Sequence, residues 1–168
     1  MKIDLKREDV SASGFRFAIV VSRWHDELTS CLAAGAAEAL RSAGAPDEAI
    51  ETFRVPGAFE LPAACLKAAK TGKFDAVIAL GVVIRGDTPH FEYVAGQAAA
   101  GILEASMKSG VPVMFGVITA DTREQAVARC GERADNKGYE AALSAVAMVT
   151  LFREMDAAGN EKVLPHVA

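Results

Sequence analysis

The chain has 168 residues and a formal net charge of −4, with 51% hydrophobic residues carried largely by alanine and valine. That length fits one domain able to bury roughly 70% of its extended-chain surface, and the absence of any lysine or arginine cluster argues against nucleic acid or an anionic membrane as the main partner. No apolar run approaches the ~20 residues a bilayer demands, and the opening MKIDLKREDV mixes charges, so no secretory signal is read and a cytoplasmic location is expected.

Residues 15–21, FRFAIVV, read as a first strand, which runs into Ser22-Arg23-Trp24-His25-Asp26 before a helical pattern with Leu28, Leu32, Gly35, Ala36 and Ala39 on one side. Gly44 and Pro46 stop that helix. The turn after the strand lacks G-x-G-x-x-G, which removes the main argument for a dinucleotide-binding fold. Trp24, the only tryptophan, stands at the strand's carboxyl end. It is there either as a core filler or as a flat surface for stacking a planar heterocycle. Residues 50–55 form a second strand ended by Pro56-Gly57, and a helix starts at Ala58-Phe59-Glu60 and continues to about Thr71, with Gly72 as its stop. Glu60 either compensates the helix dipole or faces a ligand, because parallel sheets place ligands at the carboxyl ends of their strands.

Residues 75–80 are a short, nearly continuous apolar run, the pattern of a strand buried on both faces. Gly81 is read as the turn out of it. The stretch 81–94, GVVIRGDTPHFEYV, then carries a helix start, with Thr88 as hydroxyl cap, Pro89 at the first helical position and a helix over 90–108. Gly86, Asp87 and Thr88 sit where free backbone N–H groups and the positive end of a helix dipole converge, a place that favours an anion such as phosphate. His90 is beside it, able to exchange a proton near neutrality; a histidine at a helix start is also commonly a plain surface residue. The spacing Gly81-x4-Gly86 resembles a nucleotide P-loop, but Asp87 stands in place of the phosphate-binding lysine, which argues against nucleoside triphosphates.

Residues 111–119 form a fourth strand, followed by Asp121-x-x-Glu124 as a capping box opening a short helix to Arg129. Asp135-Asn136-Lys137-Gly138 separates this from a last helix over 139–155; residues 1–14 are read as an N-terminal arm, and the tail 156–168 is expected to be loosely ordered. Cys31, Cys65 and Cys130 are far apart and without histidine at ligand spacing, so they are read as buried thiols. His25, His90 and His166 are equally scattered, and no metal site is expected. The order βαβαβαβαα predicts a four-stranded parallel sheet between two helical layers, a three-layer α/β/α single domain. Trp24, Ala58-Phe59-Glu60, the turn leading to His90, and Phe115 are expected along its carboxyl edge. The last helix has Ala142, Val146 and Val149 on one side and Ala141, Ala145, Met148 and Phe152 on another. One sheet covers one side, so a second subunit is expected over the other, as over Ala98-Ala99-Ala100-Gly101.

Five segments together resemble the 6,7-dimethyl-8-ribityllumazine synthase family: VPGAFELP (55–62), LGVVIRGDTPHFEYV (80–94), Phe115-Gly116, Glu124-Gln125-Ala126 with Arg129, and Asn136-Lys137-Gly138. The resemblance covers about residues 15–155 and implies a flavodoxin-like fold. It implies a condensation of 5-amino-6-(D-ribitylamino)uracil with 3,4-dihydroxy-2-butanone 4-phosphate that needs no cofactor or metal. It assigns Trp24 to stacking on the pyrimidine, where the family usually has phenylalanine. Ala58, Phe59 and Glu60 would line the pyrimidine and ribityl site, with backbone contacts from Val82, Val83 and Ile84. Gly86, Asp87, Thr88 and Arg129 would hold the phosphate, and His90 would move protons. Phe115 and Arg129 would reach the site from an adjoining subunit, with Lys137 nearby. The resemblance implies pentamers, some paired into decamers and others built into sixty-subunit capsids, and Asp135 stands where capsid formers commonly carry glycine. Two other readings stay open: a homologue that binds lumazine or flavin, or serves as a capsid scaffold, without chemistry, and a flavodoxin-like domain with some other phosphate ligand.

Overall fold

A computed structural model describes residues 11–161. The elements are β1 (Phe17–Ser22), α1 (Asp26–Ser42), β2 (Ile50–Val55), α2 (Leu61–Ala69), β3 (Ala76–Ile84), α3 (His90–Ser109), β4 (Val113–Ala120), α4 (Arg123–Val127) and α5 (Lys137–Glu161), with short 3-10 turns at Asp47–Ala49, Ala58–Glu60 and Arg133–Asp135. All strand pairs are parallel, in the order β2-β1-β3-β4. Alternate residues of the two central strands feed two cores. Phe17, Ile19, Val21, Ile78 and Leu80 meet Leu32, Leu40, Ala142 and Val146 of α1 and α5. Ala18, Val20, Val77 and Ala79 meet Leu61, Cys65, Ala98 and Ile102 of α2 and α3. The fold is thus the three-layer α/β/α sandwich expected, and each fully buried leucine or isoleucine contributes about 1.5–3 kcal/mol of transfer free energy. Among the described residues no helix is long and apolar enough to cross a membrane.

Several boundaries differ from the sequence expectation. β1 starts at Phe17, not residue 15; Phe15 is buried before it, under the Arg153 guanidinium 4.5 Å from its ring centre. Gly81 is not a turn: β3 runs through it to Ile84. The glycine gives close approach: an added Cβ would lie 3.1 Å from Leu61 Cδ1 and 3.2 Å from Ser22 Oγ, and those side chains would have to give by a few tenths of an ångström. Residues 58–60 form a 3-10 turn ahead of α2, which ends at Ala69. The cap position of α3 is Pro89, with no side-chain cap from Thr88. The cap of α4 is Thr122, whose hydroxyl accepts from Gln125 N–H at 3.3 Å, and not Asp121. Helix α5 begins two residues early, at Lys137, and continues through Asp156 to Glu161 where a loose tail was expected. The calls on residues 1–10 and 162–168 lie outside the described residues. Cys65 and Cys130 are buried, but Cys31 is exposed.

Helix α5 also buries more than one side within its own chain. Ala141, Ala142, Ala145, Val146 and Val149 are all buried, because α5 packs against α1 as well as the sheet. Gly138 makes the first contact possible: a Cβ there would stand 2.0 Å from the Leu32 carbonyl oxygen. Asn136 is 3% exposed and starts the helix, its Oδ1 accepting from the N–H groups of Gly138 (2.9 Å) and Tyr139 (3.1 Å). Its Nδ2 donates to the carbonyls of Cys31 and Gly131.

Candidate functional site

The sheet opens where its connections diverge. After β1 the chain leans toward β2, the N–H groups of Arg23 and Trp24 bonding to the Val55 and Pro56 carbonyls, while β3 leads to β4 on the other side. β1 pairs with β3 only as far as Val21 opposite Leu80. Val82, Val83 and Ile84 continue beyond it, paired with Ile118, Thr119 and Ala120 of β4 alone. Their other backbone edge therefore faces a gap. This is the topological switch point of a parallel sheet, where such folds bind ligands.

A crevice of about 600 Å³ occupies that gap. Trp24 and His25 line it from the β1–α1 connection, Gly57, Ala58, Phe59 and Glu60 from the β2–α2 connection, and Val82, Val83 and Ile84 from β3. Gly86, Thr88 and His90, with Phe91, Tyr93 and Val94 of the first turns of α3, complete it. Trp24 is 70% exposed, so it is not a core filler. Its indole lies over Gly57, where a Cβ would come within 3.1 Å of Trp24 Cδ1. Glu60 Oε2 accepts from Gly57 N–H at 2.9 Å, which fixes that loop. His90 is exposed at the amino end of the twenty-residue α3. Gly86, Asp87 and Thr88 make no hydrogen bond to any other described residue, which leaves the turn's N–H groups, beside the uncapped helix start, available to an anion.

Ten of the sequence-derived site residues meet in this crevice, and four do not. Asp87 is in the turn but does not line the cavity. Phe115 is the third residue of β4, opposite Ala79, about five residues short of the sheet's carboxyl edge and so on the order of 15 Å from it. It is not at the edge where it was expected. With Lys137 it lines a second hollow, of about 320 Å³, between β4 and α5, where Lys137 Nζ pairs with Glu140 Oε2 at 2.7 Å. Arg129 lies past the end of α4, its Nη1 donating to the Gln125 carbonyl at 2.8 Å. His25, Gly57, Phe91, Tyr93 and Val94 were missed. Helical spacing from His90 places 93 and 94 one turn along the same face, a signal that would have found them. His25 has a left-handed backbone (φ 59), the bend that turns β1 into α1 beside the crevice, and no sequence pattern announced it. Among the described residues no group of three histidine, cysteine or acidic side chains is placed to hold a metal ion.

A flavodoxin-like sandwich with a stacking surface, an open strand edge and an anion-ready helix start in one crevice defines a class of proteins that handle small, planar or phosphorylated molecules. The sequence model for 6,7-dimethyl-8-ribityllumazine synthase matches residues 14–153. Relatives carrying that name include proteins of Desulfatibacillum aliphaticivorans, 52% identical over 86% of this chain and 94% of the relative, and Chlorobium chlorochromatii, 48% identical over 92% and 100%. A third, from Syntrophus aciditrophicus, is 51% identical over 86% and 94%. The chain belongs to the 6,7-dimethyl-8-ribityllumazine synthase family, transferases of riboflavin biosynthesis.

Proposed function

We propose that the protein condenses 5-amino-6-(D-ribitylamino)uracil with 3,4-dihydroxy-2-butanone 4-phosphate to 6,7-dimethyl-8-ribityllumazine, releasing phosphate and water. The observation that carries this reading is the unpaired edge of Val82–Val83–Ile84 beside an exposed Trp24 and an open turn ending at His90. A strand edge offers alternating N–H and C=O groups, the pattern needed to pair with a pyrimidinedione, and Trp24 supplies the face against which that ring stacks. Ala58, Phe59 and Glu60 line the ribityl end, where the second carboxylate oxygen of Glu60 accepts from hydroxyls. The N–H groups of Gly86, Asp87 and Thr88 take the phosphate, and the absence of Asp87 from the cavity lining is what a like charge beside that anion requires.

His90, beside the phosphate site, moves protons during Schiff-base formation, phosphate elimination and ring closure, a contribution of about 10²–10⁴-fold. Holding two substrates in one crevice supplies much of the rest. Arg129, Phe115 and Lys137 complete the crevice from a second copy of the chain: Arg129 as a bidentate phosphate clamp, Phe115 and Lys137 toward the pyrimidine. Supporting this, Phe115 is 47% exposed, and Tyr93, Leu103 and Met107 leave one face of α3 apolar and uncovered. The assembly is a homopentamer, with the short Arg129–Asn136 link favouring its growth into a sixty-subunit capsid.

The test is to mix purified protein with both substrates and follow lumazine absorbance and phosphate release together. Formation of both above the uncatalysed background is expected; if neither rises above it, the protein is not a synthase.

A further inference from the structure

Arg85 stands where β3 gives way to the anion turn. Its N–H donates to the Ala120 carbonyl at 2.9 Å. Its guanidinium Nε donates to Asp121 Oδ1 at 2.7 Å and its Nη1 to Glu92 Oε1 at 2.5 Å, while the group stacks 4.2 Å from the centre of the Phe91 ring. These contacts join three elements: the end of β3, the first turn of α3 and the β4–α4 junction. The residues that follow, Gly86 to Thr88, have no such anchors among the described residues, so their conformation is set by what holds the two ends of the turn.

Arg85 does not line the crevice, and two carboxylates already occupy its fork. A guanidinium so engaged is not a phosphate ligand itself. Resting on the function proposed above, we propose that Arg85 is a positioning residue that fixes the free N–H groups of the anion turn, and His90 after it, for the phosphorylated substrate. Isolated exposed ion pairs contribute little. Here one planar fork reaches two acceptors in different directions while its face rests on an aromatic ring, which fixes its orientation in a way a single pair does not. The same anchor also meets the segment leading to Arg129, since Asp121 N–H donates to Gln125 Oε1 at 2.9 Å and the Gln125 carbonyl accepts from Arg129.

Arg85→Met keeps the stem and removes the fork. It is expected to raise both the KM for the butanone phosphate and the inhibition constant of inorganic phosphate by roughly tenfold or more, the scale of one charge-assisted contact. The pyrimidine KM, and its titration by Trp24 fluorescence, should stay within about twofold of wild type, because that site is built on β1, β2 and the strand edge. Arg85→Lys keeps the charge but not the fork and should recover only part of the phosphate affinity. An Arg85→Met protein with unchanged phosphate constants, or with equal losses toward both substrates, overturns the assignment. If that variant does not fold, Asp121→Asn removes one anchor while Arg85 remains, and the same selective loss is expected; equal losses overturn the assignment there too. Wild-type turnover and phosphate inhibition are measured first. Their absence would overturn the functional reading and this assignment with it, whereas normal wild-type values beside an unaltered variant overturn the role of Arg85 alone.

Discussion

Cys65 is fully buried on α2, and burial pushes its thiol up from 9.0 to about 12. In the unfolded chain the thiol gives up its proton near 9.0, while in the folded protein it stays protonated until about 12. Stability from this group is therefore complete below about pH 9 and is lost as pH climbs toward 12, because the unfolded state alone gains from ionisation. At one pKa unit per 1.36 kcal/mol, the loss reaches about 2 kcal/mol by about pH 10.5. Urea unfolding of wild type and Cys65→Ala at about pH 8 and about pH 10.5 checks it: the stability difference between the two proteins should shrink by about that amount, and an unchanged difference would contradict it. Other single residues were legible as types and not as roles. Trp24 could be a core filler or a stacking surface, and its exposure excludes the first. Asn136, part of a family motif, uses its amide within the chain, Oδ1 capping α5 and Nδ2 holding the Cys31 and Gly131 carbonyls, so its presence in the motif has a folding reason before any ligand is invoked.

At the scale of elements, the four strands and five α-helices of the described residues were legible from apolar runs and helical periodicity, because parallel strands buried on both faces and one-sided helices leave those marks. Their ends were less so, for reasons that are tertiary. Gly81 looked like a turn, yet it is a close-approach glycine within β3, and that misreading shortened the very strand edge on which the crevice depends. Asp121 looked like the cap of α4, but Arg85 takes its carboxylate, and the cap passes to Thr122. The polar stretch after Met155 looked like the end of a helix, while Asp156, Ala157 and Ala158 offer nothing that stops one. Gly138 tests the packing of α1 on α5. Its hypothetical Cβ meets the backbone of Leu32, with no flexible side chain to yield, so Gly138→Ala forces the two helices apart. The expected cost is on the order of 3 kcal/mol, a fall in Tm of roughly 6–12 °C for a chain of this size. A melting curve within about 2 °C of wild type would show that the two helices are less tightly fixed than that.

For the whole molecule, the decisive fact is that Phe115, Arg129 and Lys137 lie off the crevice of their own chain. Spacing along the sequence carries no mark of residues lent between copies; the excess apolar helix surface read in the sequence suggested a second subunit, and the family resemblance suggested which residues it would bring. If each crevice takes His90 from one chain and Arg129 from the next, two defective chains can repair each other. His90→Ala should turn over slowly while still binding the pyrimidine, and Arg129→Ala should chiefly raise the KM for the butanone phosphate. Unfolding the two variants together and refolding them at equal concentrations places an intact His90 beside an intact Arg129 in about one half times one half of the crevices of a random ring, so about a quarter of wild-type activity should return. Measured at butanone phosphate well below the raised KM, either variant refolded alone should show only its own small residual rate, and adding salt or diluting until the assembly dissociates should remove the recovered activity. A co-refolded mixture no more active than the sum of its parts would mean that every crevice is complete within one chain.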